Sequence, residues 1–166
     1  SWPVIQSNTI ENNTSYGLYL ENNSFPANTG NTYSGNADNI AVAPGDIIYS
    51  NTWSRDGNEP YVILGDLLVR DDWGSNPLLT IPAGLELRFI TDAGLHVSSG
   101  RLNAVGKPDS MIVFSSYSGL TQGWDGIYFD QYSDDVGRIS NLRYCVVEKA
   151  GQGGWGRNAN IYCNTT

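Results

Sequence analysis

Residues 78–116 read LLTIPAGLELRFITDAGLHVSSGRLNAVGKPDSMIVFSS, and this stretch decides the fold class. Apolar and polar residues alternate over short runs, most plainly in Leu85–Phe89, where two charged residues separate three apolar ones. Such alternation is typical of a strand that buries one face. The turns between the runs, such as the one at 82–84, are too short for a crossover helix. The stretch therefore predicts successive short strands.

Similar short apolar runs recur along the rest of the chain, bounded by Gly, Asn, Asp and Ser. The clearest are Tyr61–Val69, Leu78–Ile81, Leu95–Val97, Met111–Phe114, Ile127–Phe129, Leu142–Val147 and Ile161–Cys163. No stretch shows a convincing period of 3.6 residues, which a helix would require. We therefore expect an all-β protein.

Composition narrows the class of protein further. The chain has 166 residues and a mass of 18.1 kDa, which suggests one domain. Only 16% of its residues are charged, whereas it contains 17 Asn and 19 Gly, and its five Trp and ten Tyr argue against disorder. A net charge of -8 repels phosphate, so we expect no nucleic-acid partner. No apolar run is long enough to predict a membrane span.

An internal repeat is present near the start of the chain. Residues 1–13 read SWPVIQSNTIENN and residues 24–36 read SFPANTGNTYSGN, with five identities at an offset of 23 and no gap. A repeat of this length is typical of solenoids, in which each coil stacks on the one before.

The two ends of the chain also align with this repeat. The last seven residues, NIYCNTT, placed before Ser1, match GLYLENN of residues 17–23 without a gap, so that Ile161 falls on Leu18 and Cys163 on Leu20. One interpretation is coincidence in a biased composition. The other is that copies continue end to end, either as tandem units or as stacked subunits. The predicted self-assembly join consists of Ile161, Tyr162, Cys163, Trp2, Pro3, Val4 and Ile5.

Residues 78–116, together with GWDGIYF at 123–129 and ISNLRYCVVEKAG at 139–151, resemble the right-handed parallel β-helix repeat proteins of secreted and cell-surface origin. The Asn-bearing segment PVIQSNTIENN at 3–13 is similar to the same family. The resemblance implies the pectate-lyase-like superfold, a triangular solenoid of parallel sheets with stacked Asn at some corners. With about 22 residues in each coil, the chain would supply roughly seven coils, without obvious capping helices.

The predicted domain plan is one β-helix domain over residues 1–166. Residues 1–38 form Asn-rich coils, residues 39–60 form a less regular connection, and residues 61–166 form the main coils.

The two cysteines, Cys145 and Cys163, are eighteen residues apart, about one short coil. Stacked in register, they would lie close enough for a disulfide, which the extracellular resemblance favours. The alternative is a pair of buried thiols stacked as small apolar groups.

The catalytic residues of the resembling enzymes are missing, so we predict no enzyme and no catalytic residue. Asn8-Thr9 lacks the Asp that would follow it in a polygalacturonase, and the single histidine, His96, alternates with apolar residues as an outward-facing strand residue. No cofactor is expected. A Ca²⁺ site at Asp125, or at Asp130 with Asp134 and Asp135, has little support, since acids in turns are usually only solvated.

Four Asn-x-Ser/Thr sequons lie near the two ends of the chain, at Asn12, Asn13, Asn22 and Asn164. They are candidate glycosylation sites if the host glycosylates proteins. Together with the resemblance, they predict an extracellular or cell-surface location.

Two functions remain open, and the sequence favours the first. The first is a structural protein whose units stack head to tail with copies of itself into a fibre or a surface stalk. The second is a secreted β-helix that binds or cleaves carbohydrate, with glycans stacked on aromatic residues such as Trp124, Tyr128 and Tyr132.

Overall fold

A computed structural model describes residues 3–117, 123–132, 137, 139–151 and 158–164. Within these ranges the regular secondary structure consists of nineteen short strands. They are β1 (Val4–Gln6), β2 (Thr9–Glu11), β3 (Tyr16–Leu20), β4 (Ala27–Thr29), β5 (Thr32–Ser34), β6 (Asp38–Val42), β7 (Gly45–Ile47), β8 (Asn51–Thr52), β9 (Tyr61–Ile63), β10 (Leu67–Val69), β11 (Leu78–Ile81), β12 (Glu86–Phe89), β13 (Gly94–Val97), β14 (Arg101–Val105), β15 (Ile112–Ser116), β16 (Gly126–Phe129), β17 (Asn141–Arg143), β18 (Cys145–Val147) and β19 (Ile161–Cys163).

All pairings between these strands are parallel, and each joins a strand to the one three positions later. The result is a six-stranded sheet (β3, β6, β9, β12, β15, β18), a five-stranded sheet (β7, β10, β13, β16, β19), a four-stranded sheet (β8, β11, β14, β17) and the two-stranded pairs β1–β4 and β2–β5. We call the segment between two paired strands a coil. This all-β arrangement of stacked parallel sheets is consistent with a parallel β-solenoid, as the sequence predicts.

The N-terminal repeat is confirmed by the register. Val4 pairs with Ala27 and Thr9 with Thr32, both 23 positions apart. The aligned Asn residues also stack: the side-chain amide of Asn8 donates to Asn31 Oδ1 at 3.0 Å, and that of Asn13 donates to Asn36 Oδ1 at 2.8 Å. These amides hold successive corners together, because each Asn both donates and accepts.

Coil length varies more than the sequence suggests. Ile40 pairs with Tyr61, 21 positions on, whereas Asn103 pairs with Asn141, 38 positions on. Corners can lengthen without disturbing the ladders, since a surface loop adds little entropy cost as it grows. Spacing alone therefore fails to fix which strands stack in the later coils.

The core lies between the sheets and is formed by the inward positions of the strands. Leu85, Leu87 and Phe89 are buried as the alternation predicts, while Glu86 and Arg88 face outward and pair at 2.7 Å. Columns of aligned apolar residues, such as Leu79 on Leu102, continue this burial from coil to coil. Removal of these side chains from water is the main favourable term for the fold.

Residues 39–60 differ from the predicted irregular connection. They contain most of β6 and all of β7 and β8, and they place Ile40, Ile47 and Trp53 in the core. Asn and Gly at the corners conceal this pattern, because the apolar positions come singly or in pairs rather than in runs.

The predicted stacking of Cys145 on Cys163 is wrong. Cys145 pairs with Ile112 in the six-stranded sheet, whereas Cys163 pairs with Phe129 in the five-stranded sheet. Both thiols are free, and burial raises the pKa of Cys145. Their spacing covers less than one coil at this end of the molecule, so it brings the two residues to different sheets.

In the part of the chain that is described, no helix is long and apolar enough to cross a membrane.

Candidate functional site

The outer face of the five-stranded sheet carries a column of aligned side chains. In register, Leu68 of β10 pairs with His96 of β13, His96 with Tyr128 of β16, and Tyr128 with Tyr162 of β19. Because neighbouring strands in a sheet are about 4.8 Å apart, aligned rings meet face to face or at a tilt. The sheet therefore builds a column of three rings along the stacking direction.

The three rings are in contact with one another. The ring centres of His96 and Tyr128 are 4.4 Å apart, and those of Tyr128 and Tyr162 are 5.3 Å apart. His96 Nε2 also lies 3.4 Å from Asp130 Oδ2. His96 is thus on the outward side of its strand, as predicted, but it is packed against Tyr128 and Asp130 and only partly exposed.

A groove runs beside this ring column, and its floor is formed by two glycines. Gly94 pairs with Gly126, so neither coil places a side chain there. A Cβ at Gly94 would lie 3.1 Å from Asp125 Cβ and 3.5 Å from Asp66 Oδ1. The glycine at this position therefore keeps a gap between two aspartates, and a cavity of about 30 Å³ opens there. Its walls include Asp66, Asp125, His96, Tyr128 and Tyr162.

The wall opposite the rings is acidic. Both carboxylate oxygens of Asp125 are buried, and among the described residues they have no hydrogen-bond partner. Burial, followed by the charges of Asp66 and Asp92, raises the pKa of Asp125 to about 6. Burial also raises the pKa of Asp66, although the backbone N–H of Gly94 acts in the opposite direction. The groove thus combines aromatic surface with carboxylates that are costly to ionise.

The raised pKa of Asp125 predicts a pH effect on stability. The folded protein holds this proton more tightly than the unfolded chain, so the stabilisation is fully present below about pH 4 and is lost as the pH rises through about 6. We expect Asp125→Asn to be more stable than the wild type at pH 7, by on the order of 1 kcal/mol after allowance for solvent screening. Near pH 4 the two proteins should match.

Urea denaturation at the two pH values measures this difference. Asp109→Asn is the matched control. Asp109 is exposed and lies outside the groove, so this substitution removes the same charge without changing the groove. If the stability difference between Asp125→Asn and the wild type is the same at both pH values, the raised pKa of Asp125 is contradicted.

A second and larger cavity of about 550 Å³ lies between β4 and β8, where the two strands are not paired. Within the described residues, the buried Asn51 Nδ2 and Trp53 Nε1 lack a hydrogen-bond acceptor. Trp53 is stacked on Phe25 at 4.7 Å and on Tyr61 at 5.5 Å. Phe25 and Trp53, the rings that line this cavity, are 4% and 1% exposed, whereas Tyr162 of the groove is 36% exposed, so the groove is the better candidate site.

The three aromatic residues predicted to stack on glycans lie in different places in the structure. Tyr128 lies in the groove and Tyr132 is exposed outside it, whereas Trp124 is fully buried in the core. The expectation for Trp124 is therefore wrong. Asp66 and Tyr162 were not predicted for this site. Their alignment with Gly94 and Tyr128 could have been found only from the register.

The residues predicted for Ca²⁺ are divided in the same way. Asp125 lies in the groove wall and Asp130 lies beside His96, while Asp134 and Asp135 fall outside the described residues. Across the described ranges, no three His, Cys, Asp or Glu side chains are placed to share a metal ion.

The residues of the predicted self-assembly join lie at opposite ends of the solenoid. Val4 and Ile5 are on β1, preceded by the exposed Pro3, and Ile161, Tyr162 and Cys163 form β19. Trp2 is outside the described residues. The alignment of Ile161 with Leu18 is not reproduced, since β19 belongs to the five-stranded sheet and β3 to the six-stranded sheet.

Three of the four sequon Asn residues are engaged in the corners. The backbone N–H and side-chain amide of Asn13 both bond Asn36 Oδ1, and the amide of Asn22 donates to the Asp46 carbonyl at 2.7 Å. Asn164 donates to the Tyr128 hydroxyl at 3.4 Å. Asn12 is exposed and has a positive φ of 59°, which Asn tolerates better than most residues. Asn12 and Asn13 are exposed, whereas Asn22 and Asn164 are partly buried.

Comparison of the chain with models of protein families, with curated proteins and with solved structures gives no match in any of the three.

Proposed function

We propose that the chain is a right-handed parallel β-helix of about seven coils. Every pairing between described strands joins a strand to the third strand after it, although β4 and β5 are not paired with β7 and β8. This supports the proposal, because the described strands then form six sets of three, followed by β19. The right hand follows from the strong preference of parallel crossover connections.

We propose that this β-helix is an extracellular protein that binds carbohydrate in the groove of the five-stranded sheet. The observation that carries the proposal is the column of His96, Tyr128 and Tyr162 beside the glycine floor. Aromatic rings present flat apolar faces on which the C–H face of a sugar packs, and polar groups at the edge then orient its hydroxyls. Of the three rings, Tyr162 is the most exposed, at 36%.

The charge of the groove restricts the carbohydrate. Among the described residues its lining contains two aspartates and neither Lys nor Arg, and the whole chain carries a net charge of -8. Acidic polysaccharides such as polyuronates would be repelled. We therefore propose neutral or basic saccharides as ligands.

A glycan array followed by titration calorimetry tests this function. We expect Tyr162→Ala to lower the affinity for a bound oligosaccharide at least about tenfold, the loss of one aromatic stacking contact and its buried area. Tyr49→Ala is the control, because Tyr49 is exposed between β7 and β8 and away from the groove. Absence of binding across neutral and basic oligosaccharides would reject the proposal, and release of reducing ends would show an enzyme instead.

A second candidate function, head-to-tail stacking into a fibre or surface stalk, is favoured by the edges of the sheets. Among the described strands, β1 pairs only with β4 and β19 only with β16, which leaves backbone groups open on their other sides. Val4 on β1 is 65% exposed and Ile161 on β19 is 42% exposed. Unpaired edges with apolar side chains are templates for further pairing.

Electron microscopy and sedimentation of the purified chain test this stacking. We expect unbranched filaments whose formation is prevented by Ile161→Lys, because a charge would be buried at each junction. Glu21→Lys, a charge change at an exposed corner, is the control. A concentration-independent monomer would rule out self-stacking.

Mass spectrometry of protein secreted from a glycosylating host tests the sequons. We expect modification at Asn12 or Asn13, which are exposed, before Asn22 and Asn164, which are partly buried.

A further inference from the structure

The two ends of the solenoid differ in the sign of their charge. Residues 1–54, which hold β1 to β8, contain four acidic residues and neither Lys nor Arg. Residues 138–166, which hold β17 to β19, contain four basic residues and one Glu. Opposite charges steer two surfaces together and like charges keep them apart. Two copies of the chain are therefore attracted through unlike ends and repelled through like ends.

The six-stranded sheet is open at both of its end strands. Among the described strands, β3 pairs only with β6 and β18 only with β15. One column of aligned residues runs through this sheet from Leu18 on β3 to Val147 on β18. Leu18 and Val147 are only partly buried, and both pack against the core. A second copy whose β3 lay on β18 would continue the sheet and bury both side chains.

The strands on the preceding side of the solenoid match in the same way. β2 comes directly before β3, and β17 comes directly before β18. Each has three residues, of which the outer two are exposed and the middle one is partly buried. If the middle residues Ile10 and Leu142 are aligned, Glu11 of one copy lies beside Arg143 of the next, because neighbouring strands are about 4.8 Å apart.

The two charged side chains are available for this contact. Glu11 is exposed and accepts a hydrogen bond from the Ser34 hydroxyl at 3.1 Å. Arg143 is exposed, and its guanidinium carbon lies 5.1 Å from the centre of the Tyr144 ring. Within the described residues, neither side chain belongs to an ion pair. Opposite charges on facing positions of two paired strands stabilise the pairing, and like charges there destabilise it.

We propose that the two ends bind each other in one orientation and register, with β2 of one copy on β17 of the next and Glu11 beside Arg143. This inference rests on the proposed head-to-tail stacking and adds what determines its direction. An end placed on an identical end would bring Glu11 to Glu11 or Arg143 to Arg143, so only the unlike contact is favourable.

Two charge reversals provide the test, Glu11→Arg and Arg143→Glu, each studied alone and in an equal mixture. Sedimentation and electron microscopy give the protein concentration above which filaments form. Each variant alone brings like charges together at every junction, so we expect this concentration to rise at least about tenfold. In the mixture the new arginine of one variant meets the new glutamate of the other, and the wild-type pair forms at the alternate junctions. The mixture should therefore assemble at nearly the wild-type concentration.

Asp109→Arg and Lys107→Glu are the matched controls. Both residues are exposed and lie in the turn between β14 and β15, strands that are paired on both sides. Their net charges equal those of the two test variants, and we expect each to assemble like the wild type. Circular dichroism of each variant shows that the fold is retained, and assembly of the mixture shows it independently.

The outcomes separate the inference from the function on which it rests. Filaments formed equally well by the wild type and by both reversals would overturn the Glu11–Arg143 contact and leave stacking intact. Failure of the mixture to assemble, or an equal loss of assembly in the two controls, would also overturn this contact. A wild-type chain that remains monomeric would reject the stacking function itself, and a closed dimer that does not grow would show a contact between like ends instead.

Discussion

Trp124→Ala is expected to destabilise the protein by about 3–5 kcal/mol, the usual range for removal of a buried Trp. Trp124 has no solvent exposure, and its ring stacks on Phe89 with centres 4.2 Å apart and planes 11° from parallel. Its Nε1–H donates to the Glu148 carbonyl at 2.9 Å, which joins two successive coils. The substitution therefore leaves a cavity and also an unpaired carbonyl. Differential scanning calorimetry should show a fall in Tm of roughly 10 °C.

The chain contains a matched control for this change. Trp73 is 99% exposed, so Trp73→Ala should leave the Tm almost unchanged. Trp124→Phe should be intermediate, since it retains a ring against Phe89 but loses the hydrogen bond to Glu148 and part of the buried ring volume. Equal Tm values for Trp124→Ala and Trp73→Ala would contradict the burial of Trp124.

The same substitution connects the core to the groove. Asp125 directly follows Trp124, and Gly126 then forms part of the groove floor. The Trp124 ring anchors this segment from the inside while Asp125 faces the cavity. Oligosaccharide binding should therefore weaken in Trp124→Ala even at temperatures where the protein remains folded.

Much of the fold could be predicted from local pattern. The alternation in Leu85–Phe89 correctly placed its apolar residues inside, and the offset of 23 between residues 1–13 and 24–36 matches the observed register. Both signals depend on neighbouring residues or on coils of constant length. Where coil length is constant, sequence spacing reports spatial stacking directly.

The later coils could not be predicted in this way. Ile127 pairs with Ile161, 34 positions on, so the eighteen residues between Cys145 and Cys163 span only part of a coil. A longer surface corner costs little free energy, so corner length varies from coil to coil. A periodic pattern in the sequence therefore does not report it. The predicted disulfide and the alignment of Ile161 with Leu18 both failed for this reason.

The candidate site was only partly predictable for the same physical reason. His96, Tyr128 and Asp125 are each noticeable in the sequence, as an outward strand residue, an aromatic and a turn acid. These side chains lie close together only because β13 pairs with β16. In that register Leu95 pairs with Ile127, 32 positions later in the sequence. Asp66 carries no local signal at all, because a Gly-Asp pair before a strand is an ordinary turn.

Asp56→Asn is expected to cost about 2–4 kcal/mol, since it breaks a buried network around a charge. Asp56 is 1% exposed and accepts hydrogen bonds from the Asn31 backbone N–H at 3.1 Å, from the Asn31 side-chain amide at 2.7 Å and from the Tyr33 hydroxyl at 3.2 Å. The Asn side chain has nearly the same volume but only one acceptor oxygen. One donor of Asn31 or Tyr33 would then face an NH₂ group or remain unpaired.

Tyr33 supplies a second readout for the same variant. Burial is the main reason that the pKa of Tyr33 is raised to about 12, and the charge of Asp56 raises it further. In Asp56→Asn we expect a lower stability in urea and a Tyr33 pKa that moves back toward 10. Ultraviolet titration measures this pKa, with Tyr33→Phe as the reference that identifies the Tyr33 signal. Asp109→Asn should change neither quantity. A fall in stability without movement of the Tyr33 pKa would mean that Asp56 acts by packing alone, because a charge that stabilises Asn31 must also be felt by the neighbouring phenol.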